Sequence, residues 1–185
     1  MNNIAAIILA AGEGKRMKVK QVNKVVFPLG NKQMILHAVD RLTNLVISPI
    51  IVVVGFAKES VMKILDGKVI FALQSKRLGT AHAVTCALEK LPENIQTVLV
   101  LYGDDSAFYT QDTIRKLIET HLKEKAALSF LTIVVENPVG LGRVLRDSSD
   151  KVIGIVEQKD ATKKQREIDE INPACYVFEV AFLKK

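Results

Sequence analysis

Five consecutive residues near the start of the chain, Gly12-Glu13-Gly14-Lys15-Arg16, have types that suit phosphate chemistry. A glycine turn exposes backbone N–H groups, and two adjoining cations can complete a cradle for a phosphate chain. Two familiar glycine motifs are excluded by residue type. A dinucleotide fingerprint needs a third glycine where Met17 stands, and a Walker A loop needs glycine at Leu9 and a hydroxyl at Arg16. Taken alone, the loop fits a structural turn as well as a phosphate site. Lys15, Arg16, Lys18, Lys20, Lys24 and Lys32 share their stretch with a single acid, Glu13, so anions are attracted there. Nucleic acid is a poor candidate, because only Phe27 is interleaved with this charge. Farther on, Asp104 ends the apolar run Val98 to Leu101 followed by Tyr102-Gly103. A carboxylate there offers the oxygen that a hard cation such as Mg²⁺ prefers, although a lone strand-end Asp is also an ordinary turn residue.

Positioning these groups requires a particular scaffold. Short runs rich in Val, Ile and Leu recur at Ile4 to Leu9, Ile50 to Val54, Val69 to Leu73, Val98 to Leu101 and Leu128 to Val135, as expected of buried parallel strands. Helical spacing lies between them: Met34, Leu36, Val39 and Leu42; Ala81, Val84, Ala87, Leu88 and Leu91; Ile114, Leu117, Ile118 and Leu122. The alternation predicts an α/β fold, a mostly parallel sheet with helices on both faces. After about Pro138 the pattern changes to a β-hairpin, Arg143 to Arg146 and Val152 to Glu157, around the polar turn Asp147 to Asp150. A loose helix is expected in Ala161 to Glu170 and a strand in Ala174 to Phe178. At 185 residues the chain suggests one domain. Cys86 and Cys175 have no partner at a metal-ligand spacing, which fits a reducing cytoplasm. The apolar start carries no preceding Lys or Arg and reads as a strand, not a signal peptide, and no stretch reaches the roughly 20 residues of a membrane span.

The run Leu9-Ala10-Ala11-Gly12-Glu13-Gly14-Lys15-Arg16-Met17 resembles the signature loop of the sugar-nucleotide pyrophosphorylases, in particular the uridyltransferase domain of bacterial N-acetylglucosamine-1-phosphate uridyltransferases. The likeness continues in order along the chain. Lys24 stands where the family has lysine in a P-K-V context, with Asn23 in place of the proline. Gln74 with Leu78-Gly79-Thr80-Ala81-His82-Ala83, then Leu101-Tyr102-Gly103-Asp104, match its next blocks. Gly140-Leu141-Gly142-Arg143, Gly154 to Ala161 and Glu170-Ile171-Asn172 match the last three.

The resemblance implies a Rossmann-like nucleotidyltransferase that joins UTP to N-acetylglucosamine 1-phosphate with Mg²⁺ and releases pyrophosphate. It places Leu9, Ala10, Ala11 and Gly12 on the nucleotide, Arg16 on the departing pyrophosphate and Lys24 on the phosphates. Gln74, Gly79 and Thr80 would read uracil, Tyr102 and Gly103 would line the site, and Asp104 would hold the metal. Gly142, Glu157 and Asn172 would surround the sugar. The chain departs from the family at Asp105-Ser106, where an apolar residue and proline are usual, and at Pro173-Ala174, where Thr-Gly is usual. Another sugar phosphate, dTTP, or a non-catalytic binding role are the alternatives. Relative to the family, the chain is expected to be incomplete at its C-terminus, to lack the acetyltransferase repeat domain, to leave its last strand without neighbours, and to be prone to self-association.

Overall fold

The computed structural model describes residues 3–14, 21–104 and 108–185. In chain order they form β1 (Ile4–Ala10), a 3-10 turn (Lys24–Val26), β2 (Pro28–Leu29), β3 (Lys32–Gln33), α1 (Met34–Asn44), β4 (Ile50–Val54), α2 (Lys58–Leu65) and β5 (Ile70–Leu73). Then follow α3 (Thr80–Leu88), β6 (Thr97–Tyr102), α4 (Gln111–Glu124), β7 (Leu128–Phe130), β8 (Ile133–Val134), β9 (Arg143–Arg146), β10 (Val152–Val156), α5 (Lys163–Arg166), β11 (Glu170–Ile171), β12 (Cys175–Glu179) and α6 (Val180–Leu183). The chain divides into two compact units, residues 1–129 with 176–185 and residues 130–175.

The larger unit is built on a six-stranded sheet in the order β5-β4-β1-β6-β12-β7. β1 runs parallel to both β4 and β6, with Ala10 opposite Val54 and Leu9 opposite Tyr102, and β4 runs parallel to β5. β1, β4 and nearly all of β6 are buried along their whole length, which is why they read as unbroken apolar runs. Ala5, Ile7 and Leu9 pack with Ala83, Val84 and Ala87 of α3 on one side of the sheet. β5 is an exception, since this edge strand buries only Ala72. The expectation that the last strand lacks neighbours is not met. β12 lies between β6 and β7, and its Cys175 and Val177 are fully buried. The run Leu128 to Val135 is not one strand but two, β7 and β8, in different sheets.

A single buried side chain braces the carboxyl end of β1. Asn23 is wholly inaccessible. Its Nδ2 donates to the carbonyls of Ala10 at 2.8 Å, Phe56 at 2.9 Å and Gly12 at 3.3 Å, and its Oδ1 accepts from Val25 N at 3.2 Å. The 3-10 turn carrying Lys24 is thereby fixed against both the glycine loop and the segment after β4.

The smaller unit is a four-stranded sheet in the order β10-β9-β11-β8. The expected hairpin is present: β9 and β10 pair antiparallel, with Arg143 opposite Val156. The expected helix is shorter, only α5, closed by a reciprocal capping box between Thr162 and Gln165. Arg143 is 1% exposed, and its guanidinium donates to the carbonyls of Leu141 and Ile168 and to Gln158 Oε1. Arg146 grips Glu170 with two bonds of 2.8 Å, which hold the Glu170 carboxyl below its ordinary value.

Two outcomes follow. Asn23→Ala leaves buried carbonyls without a donor and lowers the stability of the larger unit by about 2–4 kcal/mol in chemical unfolding, whereas a loss under about 1 kcal/mol contradicts the bracing role. Because the folded Glu170 pKa is depressed, its stabilisation is full above the unfolded value and is lost as pH falls through the lower folded value. Glu170→Gln therefore costs about 1 kcal/mol at neutral pH, and the cost shrinks steadily as the pH is lowered through the carboxylate range, as read by urea unfolding across a pH series.

Candidate functional site

Strand order, before any side chain, locates the site. β4 lies on one side of β1 and β6 on the other, so the sheet changes winding direction between β1 and β6. Ligands of open α/β sheets bind at the carboxyl ends of strands at such a switch. Here the glycine loop leaves β1 and Tyr102-Gly103-Asp104 leaves β6, with Gly103 N donating to Leu9 O at 3.0 Å. Glycine at 103 permits this close approach, because a Cβ would stand 3.0 Å from Val25 Cγ1 and 3.3 Å from Leu9 O and would force those neighbours apart. A cavity of about 300 Å³ opens there. Leu9, Ala10, Ala11, Gly12, Lys24, Gln74, Gly79, Thr80, Tyr102 and Asp104 all line it. A larger cavity of about 590 Å³ lies beside Thr97, His121 and Val180, at the amino end of β6. It contains none of the sequence-predicted residues and sits at the wrong end of the strands for this fold.

Charge is concentrated at one corner of the smaller cavity. Lys24 Nζ donates to Asp104 Oδ2, with both side chains mostly shielded from solvent. Asp104 Oδ1 is buried and has no hydrogen-bond partner among the described residues. A buried anionic oxygen left unpaired is costly unless a cation meets it. No group of three or more His, Cys, Asp or Glu side chains gathers here or at any other place among the described residues. The donor set therefore fits a cation held by one carboxylate with substrate phosphate and water, as Mg²⁺ accepts.

The opposite wall is neutral and polar. Gln74 is 5% exposed, and its Nε2 donates to Gly79 O at 3.0 Å and approaches His82 Nδ1 at 3.1 Å. Gly79 occupies the left-handed region at φ +100°, which an L side chain resists. It is the N-cap of α3, so Thr80 is the first helical residue rather than the cap. The Thr80 hydroxyl instead meets Tyr102 Oη at 3.0 Å.

The smaller unit gathers the three residues assigned to the sugar. A Cβ on Gly142 would lie 3.5 Å from Glu157 Oε1, and Asn172 N donates to Gly142 O at 3.0 Å. Asn172 Oδ1 also accepts from Ala174 N at 3.0 Å, which shapes the turn. Ala174 takes a left-handed φ of 62°. Arg16, Lys15, Lys18 and Lys20, together with the Asp105-Ser106 departure, lie outside the described residues.

Sequence reasoning missed three participants. Asn23 appeared only as a missing proline, yet it braces the loop. His82 appeared only inside a motif, yet it contacts Gln74. Arg77, which pairs with Glu13 of the glycine loop at 2.5 Å, lines the cavity although nothing in its spacing marked it.

Comparison with known proteins shows the family and the fold. The chain is 50% identical over 175 residues to the bifunctional protein GlmU of Caldicellulosiruptor saccharolyticus, covering 94% of this chain and 37% of that protein. It is 45% identical over 185 residues to the bifunctional protein GlmU of Thermoanaerobacter pseudethanolicus, covering 100% and 40%. The chain thus spans about two fifths of the length of these curated relatives. A Bacillus anthracis protein provisionally assigned as a glucose-1-phosphate thymidylyltransferase, solved with bound sucrose, shares the fold at a TM-score of 0.79 and 24% identity, over 98% of this chain and 73% of that one. No helix among the described residues is long and apolar enough to cross a membrane. Residues 6–168 match the MobA-like NTP transferase domain, and the chain belongs to that family.

Proposed function

We propose that this chain is a cytoplasmic uridylyltransferase domain that transfers UMP from UTP to N-acetylglucosamine 1-phosphate and releases pyrophosphate. One observation carries the reading: a half-paired buried carboxylate, Asp104, stands beside Lys24 in the cavity that Gln74 and the glycine loop also line. The choice of sugar and nucleotide comes from the sequence blocks that resemble the uridyltransferase domain.

The acceptor phosphate is already charged, so no nucleophile is needed from the protein. An oxygen of the sugar phosphate bonds to the α-phosphorus of UTP, and the bond from that phosphorus to the β-phosphate oxygen breaks. Catalysis is then charge neutralisation and alignment. The N–H groups around Ala11 and Gly12 hold the nucleotide, Lys24 offsets charge at the phosphates, and Arg16 takes the leaving pyrophosphate, a role that rests on its sequence position. Asp104 would hold Mg²⁺, which supplies Lewis-acid neutralisation of phosphate oxygens. Gly142, Glu157 and Asn172 would accept the sugar. A dTTP-using reaction is the competing reading, because thymine presents the same ring N–H to Gln74 as uracil.

Pyrophosphate release measured across UTP, dTTP and CTP with N-acetylglucosamine, glucosamine and glucose 1-phosphates is the direct test. UTP with N-acetylglucosamine 1-phosphate is expected to be fastest, and release with dTTP and glucose 1-phosphate alone would overturn the assignment. Lys24→Ala and Arg16→Ala should each lower turnover by roughly 10²–10³. Asp104→Asn should raise the Mg²⁺ concentration required while the fold survives, and an unchanged Mg²⁺ titration would move the metal elsewhere.

A further inference from the structure

Gln74 has a carboxamide that two bonds hold in one orientation. Gly79 O is a carbonyl and pairs only with the –NH₂ side of the amide, so the 3.0 Å contact is the first of two restraints on which end of the side chain is nitrogen. The second amide hydrogen points to His82 Nδ1 at 3.1 Å. A donor there requires His82 Nδ1 to be the unprotonated nitrogen, with the ring proton on Nε2. Cys86 Sγ lies 3.9 Å from that Nε2, one helical turn along α3, where it can accept weakly. Both amide hydrogens are then engaged, and Oε1 is the atom that Gln74 offers to a ligand in the cavity it lines.

We infer that His82 is a positioning residue for base selection: it holds the Gln74 carboxamide with its acceptor toward the base, and so favours a pyrimidine with a ring N–H over cytosine. The inference rests on the proposal that Gln74 reads the base. Uracil and thymine present N3–H, which pairs with Oε1. Cytosine presents an unprotonated N3, which would face Oε1 as a second acceptor. Free rotation of the amide by half a turn would let it serve either base and erase the preference. Gly79 alone leaves one amide hydrogen without a partner, and His82 supplies the second restraint. His82 is half-buried on α3, beside Ala83 of the core cluster, and its two ring nitrogens are engaged by Gln74 and Cys86.

The test compares equilibrium binding of UTP and CTP to wild type, His82→Phe and Gln74→Ala, with turnover at saturating UTP alongside. Wild type should favour UTP by roughly 5- to 150-fold, the range for one mismatched buried polar pair. His82→Phe should bring the two affinities to within about threefold of each other, mainly by weakening UTP, while kcat at saturating UTP changes by less than about twofold. Damage to the helix alone would weaken UTP and CTP together and leave their ratio intact, which would overturn the inference. If Gln74→Ala removes the preference but His82→Phe keeps it, Gln74 reads the base without His82 and the positioning role is wrong. If Gln74→Ala keeps it, the base-reading assignment itself fails. A measurement on the wild-type protein covers the case in which His82→Phe does not fold: ¹⁵N NMR should show neutral His82 protonated on Nε2, and protonation on Nδ1 would contradict the lock.

Discussion

The parallel pairing of β1 with β6 is the constraint from which the site follows. With Leu9 opposite Tyr102, the first glycine-loop residues and Asp104 emerge side by side at one edge of the sheet. A slip of one residue would turn every side chain of β6 to the other face and carry Asp104 away from the cavity. The slip is resisted because both faces of β1 and β6 are buried. Gly103 allows Val25 to close on the strand end, and Asn23 ties the turn that carries Lys24 to the carbonyls of Ala10 and Gly12. The cation of Lys24 is therefore positioned by backbone contacts made by its neighbours rather than by its own flexible stem.

Placing a carboxylate and an ammonium at this edge has an energetic logic. The pair is mostly withdrawn from water, so its attraction is less screened than that of a surface pair such as Lys32 with Asp40. Only one oxygen of Asp104 is used, and the buried second oxygen keeps a need for positive charge. In the proposed function, polyphosphate and a divalent cation would meet complementary demands of the same corner, the phosphates at Lys24 and the loop amides, the cation at Asp104. The neutral wall of Gln74, Gly79 and Thr80 carries no net charge, which suits the proposed reading of a base by the direction of its donors and acceptors.

Much of this arrangement was legible in the sequence, and the remainder fails for identifiable reasons. β1, β4 and β6 were visible because strands buried on both faces leave continuous apolar runs, and the hairpin of β9 and β10 because Asp147 to Asp150 mark its turn. α2 was not read, although Val61 and Leu65 are fully buried in it, because the helix is only eight residues long and its apolar residues, Val61, Met62, Ile64 and Leu65, crowd into its second half. The break between β7 and β8 was hidden since an apolar run does not show where a chain changes sheet. The candidate residues that line the cavity were singled out through blocks of consecutive residues. Asn23 and His82 escaped because their roles are hydrogen bonds to groups distant in sequence, which composition and spacing do not encode. Neighbouring β12 was expected to lie bare, but β7 returns to cover it from a segment read as part of a longer strand.

The resting places of a nucleotide and its metal decide whether the cavity beside Asp104 is the site. A crystal structure of this chain grown with UTP and Mg²⁺ measures that directly. The account predicts the base beside Gln74 and Gly79, the phosphates within reach of Lys24 and the Gly12 amide, and the metal on Asp104 Oδ1. Nucleotide seated in the larger cavity beside Thr97 and His121, or metal bound away from Asp104, would contradict it.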